Sequence, residues 1–266
     1  MSAVTSKDGT SIAYERAGSG PAVILVGGGA VDRSENAPLA PELAPHFTVY
    51  NYDRRGRGDS GDTLPYAVRR EIEDIEALVV EAGGSAHLYG ISSGGALAME
   101  AAAAGVAIDR VAVYEVPYNV DDDWPQRWRE YVDELGSLLA ADRRGDAFAL
   151  FMALADTPQE VIASARSSPM WPTLEALAPT LAYDAACLGD GQPPTARFAR
   201  ITQPTLIATG TVGRLPGAAR WVRALDPAAD AIAASIPRAE RLTIEGQAHV
   251  VDPKALGPVL EAFFGH

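Results

Sequence analysis

The segment Gly90-Ile91-Ser92-Ser93-Gly94 places a serine at the centre of a Gly-x-Ser-x-Gly motif. Apolar residues precede the motif and good helix formers follow it, so the sequence predicts a strand, a sharp turn and a helix. The turn strains its central residue and tolerates only small neighbours, which explains the two flanking glycines. The motif favours a nucleophilic role for Ser92 over a merely serine-rich turn.

A serine nucleophile needs a base, because an alcohol is almost fully protonated near neutral pH. The chain has four histidines. His249 follows the last predicted strand, at the carboxyl edge where open α/β sheets bind their ligands. His46 precedes a strand at the opposite end of the sheet, His87 begins the strand before Ser92, and His266 is terminal. His249 is therefore the predicted base.

The third member of such a constellation is a carboxylate that orients the histidine. The loop of residues 210–217, after the predicted strand 205–209, contains no carboxylate, and Asp226 beyond it falls in or near a later helix. Glu115 ends an apolar predicted strand, where a carboxylate is costly unless it is paired. The sequence therefore favours Glu115 as the acid, with a structural carboxylate as the alternative. The three aspartates at 121–123 are alternative candidates for the acid, but a solvated helix cap is the favoured interpretation of them.

Acyl transfer develops negative charge on a carbonyl oxygen, which fixed backbone N–H groups stabilise. Ser93, at the start of the helix after the turn, is one predicted donor. The second donor is expected from the loop Gly27-Gly28-Gly29, where glycines let the backbone approach a substrate closely, and Gly29 and Gly28 are its candidates. The sequence shows neither metal-ligand spacing nor a dinucleotide-binding fingerprint, so no metal and no cofactor are expected.

Strands and helices alternate along most of the chain, which predicts a mostly parallel α/β sheet. Predicted strands cover residues 2–5, 11–15, 22–26, 47–52, 86–89, 110–116, 205–209 and 241–244, and predicted helices cover 66–82, 94–104, 228–235 and 253–264. Residues 118–200 show helical periodicity and no convincing strand. We therefore predict a core of residues 1–117 and 201–266, with a helical cap at 118–200 inserted over the pocket.

The predicted cap is rich in aromatic and thioether side chains, which suit an apolar or cyclic ligand of moderate size. Tyr118, Met170 and Trp171 are the predicted substrate contacts, and Trp171 is the strongest of them. Packing between cap and core is the alternative interpretation of any one of these residues.

Composition limits the classes of partner. The formal net charge of −13 argues against nucleic acid and anionic membrane surfaces, so a small-molecule substrate is expected. Cys187 is the single cysteine and fits a reducing compartment. The chain shows no secretory signal and no apolar run of membrane-spanning length, so a cytoplasmic location is expected. The oligomeric state, monomer or homodimer, stays open.

The chain resembles the α/β-hydrolase family over nearly its whole length, on AVILVGGG, YDRRGRGDS, YGISSGG and the late GQAH. The resemblance implies a mostly parallel central sheet flanked by helices, with an inserted helical cap. It also implies that Gly29 is the second oxyanion donor, with Gly28 as the alternative. In the loop YDRRGRGDS, Arg54 and Arg55 are expected to form structural ion pairs. Glu115-Val116-Pro117 further resembles the Glu-x-Pro segment of the fungal zearalenone lactone hydrolases, which carries their catalytic glutamate.

The expected function is a serine hydrolase that cleaves an ester or lactone of a moderately sized apolar substrate through Ser92, His249 and Glu115. The alternatives are a non-hydrolytic catalyst on the same fold, such as a lyase, cyclase, perhydrolase or cofactor-free oxygenase, and a small-molecule receptor.

Overall fold

The computed structural model describes residues 2–265, so Met1 and His266, the predicted ends of the core, lie outside the described residues. Eight strands form one sheet: β1 (Ser2–Thr5), β2 (Ser11–Gly18), β3 (Ala22–Val26), β4 (Thr48–Tyr52), β5 (Ala86–Ile91), β6 (Ile108–Tyr114), β7 (Thr205–Gly210) and β8 (Ala239–Ile244). Eleven α-helices lie within the described residues: α1 (Ala40–Leu43), α2 (Val68–Glu81), α3 (Ser93–Ala103), α4 (Trp124–Ala140), α5 (Arg144–Leu154), α6 (Gln159–Arg166), α7 (Trp171–Leu177), α8 (Leu181–Leu188), α9 (Thr195–Phe198), α10 (Arg220–Ser235) and α11 (Pro253–Phe264).

The strand order is β1-β2-β4-β3-β5-β6-β7-β8. β1 and β2 pair antiparallel at one edge, and β4, β3 and β5 to β8 are parallel to one another. The central strands are buried along almost their whole length because helices cover both faces of the sheet, which is why they read as continuous apolar runs. The predicted mostly parallel sheet is confirmed.

Two hydrophobic cores lie on opposite faces of the sheet. The smaller core joins the sheet to α1 and α11, through residues such as Leu43 and Leu260. The larger core joins it to α2, α3 and α10, and continues into the helices between β6 and β7. This larger core therefore attaches those helices to the rest of the protein.

The helices α4 to α9 occupy the chain between β6 and β7, and we call residues 118–200 the helical segment. α8 packs directly on α3, the helix that follows Ser92. None of the helices in residues 2–265 combines the length and the apolar character needed to cross a lipid bilayer.

Several elements differ from the sequence-based expectation. β6 ends at Tyr114, so Val116 lies beyond the strand. α10 begins at Arg220 rather than at Ala228 and carries Pro227 in its interior. A proline lacks the N–H of a helical hydrogen bond, so the sequence pattern placed a boundary where the helix continues. The short helix α1 was not predicted.

The glycines around Ser92 are required by close backbone contact. A Cβ at Gly90 would lie 2.5 Å from the Gly94 carbonyl oxygen, and a Cβ at Gly94 would lie 2.3 Å from the Gly27 carbonyl oxygen. No side chain fits at either distance. The turn is therefore compressed between β3 and α3, which fixes where Ser92 lies relative to the loop after β3.

We expect Gly94→Ala to lower the free energy of unfolding by about 2–3 kcal/mol, because its methyl group would meet backbone that cannot move aside. Gly136→Ala is the matched control: Gly136 lies in α4, and a Cβ there would have no atom within 4 Å, so alanine should stabilise by about 0.5–1 kcal/mol. Urea denaturation of the two variants measures whether each substitution lowers or raises the free energy of unfolding. A neutral Gly94→Ala would contradict the compression argument.

Candidate active site

Ser92 stands at the turn between β5 and α3 in a strained backbone conformation, with φ of 55° and ψ of −130°. Its N–H donates to the Tyr114 carbonyl oxygen at 3.0 Å, so the end of β6 holds the turn in place. The residue is partly exposed and lines a cavity. A strained residue at a cavity is typical of a functional position, where the surrounding structure maintains the strain.

His249 and Glu115 form a direct pair. The Nδ1 atom of His249 lies 2.9 Å from Oε2 of Glu115, whose side chain is almost fully buried. Because the carboxylate is hydrogen-bonded to Nδ1, only Nε2 is left to bond to other groups. The carboxylate also stabilises the charged form of the imidazole ring. Within residues 2–265 no hydrogen bond joins Ser92 Oγ to His249, but both side chains line the same cavity.

Glu115 reaches this position because β6 has just ended. Its φ of 46° is in the left-handed region, and its N–H donates to the Ala208 carbonyl oxygen at 3.0 Å. The second carboxylate oxygen accepts the N–H of Gly210 at 2.9 Å. Both oxygens of the buried carboxylate are therefore satisfied, which offsets the cost of its burial.

The loop after β7, which contains no carboxylate, supports Glu115 instead. A Cβ at Gly210 would lie 2.0 Å from the Gln247 carbonyl oxygen, so this position has no room for a side chain. Gly210 contributes its N–H to Glu115. The Tyr114 hydroxyl donates to the Ala248 carbonyl oxygen at 2.7 Å, and Trp221 packs edge-on against the His249 ring, at 4.9 Å between centroids. The histidine loop is thus positioned by the ends of β6 and β7.

The loop after β3 lies beside Ser92. A Cβ at Gly28 would lie 3.2 Å from Ser92 Cβ. The N–H of Gly28 donates to Glu35 Oε2 at 2.6 Å, and the N–H of Ala30 donates to Asp184 Oδ2 at 3.1 Å. The N–H groups of Gly29 and Ser93 have no acceptor in the described part of the chain. Gly29, unlike Gly28, therefore has a donor available to the cavity.

A buried network of charged side chains holds the loop after β3 in place through hydrogen bonds to its backbone. The Arg54 guanidinium bonds to Glu71 at 2.7 and 2.8 Å, to Asp184 at 2.8 Å, and to the carbonyl oxygens of Gly27 and Gly28. Burial disfavours the charged carboxylate of Glu71, yet the charge of Arg54 holds the pKa of Glu71 below its ordinary value. Arg54 thus forms the predicted ion pairs and also fixes the loop carbonyls.

Asp184, from α8 of the helical segment, is the centre of this network. Its Oδ1 accepts from Arg54, from Arg57 at 2.7 Å and from Ser93 Oγ at 2.8 Å. Its Oδ2 accepts the N–H of Ala30. One carboxylate therefore connects the helical segment with the loop after β3 and with the start of α3. The companion Arg55 pairs with Asp74 and Asp8 away from the cavity, as the predicted structural ion pair.

The cavity that contains Ser92 has a volume of about 280 Å³. This volume is near the lower end for small-molecule sites, which run from about 300 to 1,000 Å³. Most of its wall is apolar and aromatic, and much of it comes from the helical segment. The lining residues are Gly29, Glu35, Ser92, Ser93, Pro117, Tyr118, Asn119, Trp124, Trp128, Tyr131, Phe151, Leu154, Ala155, Leu181, Asp184, Ala185, Leu188, Trp221, Ala224 and His249.

The three predicted substrate contacts have different locations. Tyr118 lines the cavity. Met170 is exposed and lines a neighbouring cleft of about 460 Å³, which also includes Glu35 and His249. Trp171 is buried outside both spaces, against Phe148 and with its indole N–H on Glu175, so the expectation that it lines the pocket was wrong. Its position at the start of α7 turns the ring into the packing between helices.

The other described histidines lie away from the cavity. His87 is buried between Phe47 and Phe264, and burial lowers its pKa. His46 pairs with Glu261 at the surface. Within residues 2–265, no group of three or more His, Cys, Asp or Glu side chains is arranged to hold a metal ion.

Sequence reasoning missed Asp184 and Glu35. Asp184 stands in an ordinary helical sequence, and nothing local shows that it will meet two arginines from another part of the chain. Glu35 follows the glycine loop by only a few residues, and an acidic residue so close to a candidate oxyanion site is the signal that could have drawn attention to it.

We expect Asp184→Asn to lower the free energy of unfolding by about 3–5 kcal/mol, because it leaves two buried guanidiniums with one partner carboxylate fewer. Amide hydrogen exchange should also accelerate in residues 27–30. Asp62→Asn is the matched control, since Asp62 bonds to Tyr183 of the same helix without touching the loop. Equal exchange of residues 27–30 in both variants would contradict a specific role for Asp184.

Known proteins are similar to this chain over most of its length. The chain is 33% identical over 242 residues to the pimeloyl-[acyl-carrier protein] methyl ester esterase of Xanthomonas campestris, covering 87% of this chain and 89% of that one. It is 50% identical to an α/β hydrolase of Sphaerobacter thermophilus of solved structure, with a TM-score of 0.86 over 99% of this chain and 100% of that one.

The enol-lactonase of Burkholderia xenovorans shares the fold, with a TM-score of 0.69, 21% identity and complete coverage of both chains. The model of the alpha/beta hydrolase family matches residues 23–256. The fold expected from the sequence is therefore confirmed, and the chain belongs to the α/β-hydrolase family.

Proposed function

We propose that this protein is a serine hydrolase that cleaves a carboxylic ester or lactone through Ser92, His249 and Glu115. One observation carries the proposal: the buried Glu115 holds Nδ1 of His249 at 2.9 Å, in the cavity that the strained Ser92 also lines. A carboxylate that orients a histidine beside a serine is the arrangement that activates an alcohol. The esterase relative from Xanthomonas supports the same class of reaction.

In the proposed mechanism, His249 takes the proton of Ser92 as the serine oxygen attacks the substrate carbonyl. The hydrogen bond between Ser92 Oγ and Nε2 of His249 that this transfer requires forms when substrate is bound. Glu115 keeps the proton on Nδ1 in the neutral ring and stabilises the imidazolium. The histidine then protonates the leaving alkoxide, and it later activates the water that hydrolyses the acyl-enzyme.

The oxyanion of the tetrahedral intermediate is assigned to the N–H groups of Gly29 and Ser93. Both groups lack an acceptor in residues 2–265, whereas the neighbouring Gly28 N–H is bonded to Glu35. Donors that are held in place before reaction stabilise developing charge without reorganisation. The bonds of Arg54 and Asp184 to the adjacent backbone keep Gly29 in that position.

The shape of the cavity supports a moderately sized apolar substrate. Aromatic side chains of the helical segment, among them Trp124, Trp128 and Tyr131, form much of its wall. The Glu-x-Pro segment at Glu115 also resembles the zearalenone lactone hydrolases, which supports lactones as one candidate substrate class. We therefore propose apolar esters and lactones, with residues 118–200 acting as the substrate-selecting cap over the core.

A fluorophosphonate probe should label the protein at Ser92, because an activated serine attacks phosphorus as it attacks a carbonyl. Peptide mass spectrometry distinguishes Ser92 from the adjacent Ser93, and Ser92→Ala should abolish labelling. A short-chain chromogenic ester measures turnover in the same sample. Labelling without turnover of any ester or lactone would favour a receptor, and absence of labelling would rule out a nucleophilic Ser92.

Glu115→Gln should lower kcat by about 100-fold or more, because a neutral amide neither stabilises the imidazolium nor fixes the correct tautomer. Asp226→Asn is the matched control. Asp226 is the first carboxylate after β7, and it bonds to Arg241 and Thr209 rather than to the histidine. Its loss should leave kcat unchanged. A loss of only a few-fold in Glu115→Gln would remove Glu115 from the mechanism.

A further inference from the structure

Glu35 is a carboxylate at the proposed reaction centre that the mechanism does not use. It lines both the cavity with Ser92 and the neighbouring cleft, as His249 does. A Cβ at Gly28 would lie 3.2 Å from Ser92 Cβ and 3.3 Å from Glu35 Oε1, so at most about 6.5 Å separates these two side-chain atoms. A substrate group attached near the reacting carbonyl can therefore reach Glu35.

No ion pair neutralises Glu35 within the described residues. Its Oε2 accepts the Gly28 N–H at 2.6 Å, while its Oε1 has no hydrogen-bond donor in residues 2–265. Asp184, the other acidic residue of the cavity wall, differs because two arginines pair with it. Desolvation raises the pKa of the Glu35 carboxyl above its ordinary value, although the charges of His249, Arg57 and Arg54 oppose the rise, and a bound cation would further favour the charged form. Glu35, an exposed residue, therefore presents to the cavity a carboxylate oxygen that has no hydrogen-bond donor in residues 2–265.

The rest of the wall favours a positive charge over a negative one. The described lining residues of the cavity include no lysine or arginine, and several are aromatic, including Trp124, Trp128 and Trp221. Aromatic faces attract cations, and a carboxylate beside them forms strong charge-assisted bonds to ammonium groups. An anionic substrate group would meet the negative charge of Glu35, and the described cavity wall has no lysine or arginine to pair with it, because Arg54 and Arg57 lie behind the wall and pair with Asp184.

We propose that Glu35 is a specificity-determining residue that selects substrates with an ammonium group close to the reacting carbonyl and rejects those with an anionic group there. This inference rests on the proposed function and specifies its substrate class. The hydrogen bond from Gly28 fixes the carboxylate so that Oε1 receives the ammonium N–H while the carbonyl carbon lies at Ser92. The aromatic wall then holds the apolar remainder of the substrate.

Three small esters of similar size test the proposal: methyl 3-aminopropanoate, methyl butanoate and monomethyl malonate. Glu35→Gln removes the charge, and its amide oxygen still accepts the Gly28 N–H. For each ester, kcat/KM of the variant is divided by kcat/KM of the unmodified protein. The intrinsic reactivity of the ester therefore cancels. Glu42→Gln, on the exposed side of α1, is the control for the same change in net charge.

In Glu35→Gln, kcat/KM for the amino ester should fall by about ten-fold or more, the value for butanoate should change little, and the value for the malonate ester should rise. Glu42→Gln should leave all three unchanged. Equal changes for the three esters in Glu35→Gln would overturn the proposal.

Failure of the proposed function has a different signature. If the unmodified protein hydrolyses none of the esters and Ser92 is not labelled, the serine hydrolase assignment fails. Glu35 is then tested by binding of methyl 3-aminopropanoate to Ser92→Ala, measured by ligand-observed NMR. Weaker binding in the Ser92→Ala, Glu35→Gln double variant supports the role of Glu35, and unchanged binding overturns it.

Discussion

The structure around the candidate site depends on one buried carboxylate, Asp184, that pairs with two guanidiniums. Asp184 accepts hydrogen bonds from Arg54, Arg57 and Ser93, and from the backbone of Ala30. Charges this deeply buried persist only when each is paired and each hydrogen-bonding atom is used. Because its partners come from the loop after β3, the loop after β4 and the start of α3, the network specifies how these parts and the helical segment fit together.

The same demand for satisfied polar groups explains the position of Glu115, the proposed acid. Glu115 lies just past the end of β6, in a backbone conformation that costs energy, and its carboxylate accepts from Gly210 and His249. Gly210, the last residue of β7, leaves no room for an acidic side chain, since a Cβ there would clash with the histidine loop. The two neighbouring strands therefore have separate roles, because β6 supplies the carboxylate while β7 supplies the N–H that holds it.

The candidate site combines backbone N–H groups that are already bonded with others that are available to the cavity. The backbone N–H groups of Gly28 and Ala30, on either side of Gly29, are bonded, yet Gly29 and Ser93 keep theirs available in the described structure. Much of the rest of the cavity wall comes from helices that are joined to the core through Asp184 and the larger hydrophobic core. A substrate would therefore contact fixed donors on one side and a largely apolar surface on the other.

The sequence by itself determined the sheet, the sharp turn at Ser92 and the late position of His249, because burial between helices and close backbone contact leave strong local patterns. It also indicated Glu115, since a carboxylate in an apolar strand requires a partner. The end of β6, the burial of Trp171 away from the cavity, and the meeting of Asp184 with Arg54 and Arg57 were decided only by the tertiary structure. These features depend on contacts between residues far apart in the chain, and no local spacing encodes which buried charges will become neighbours.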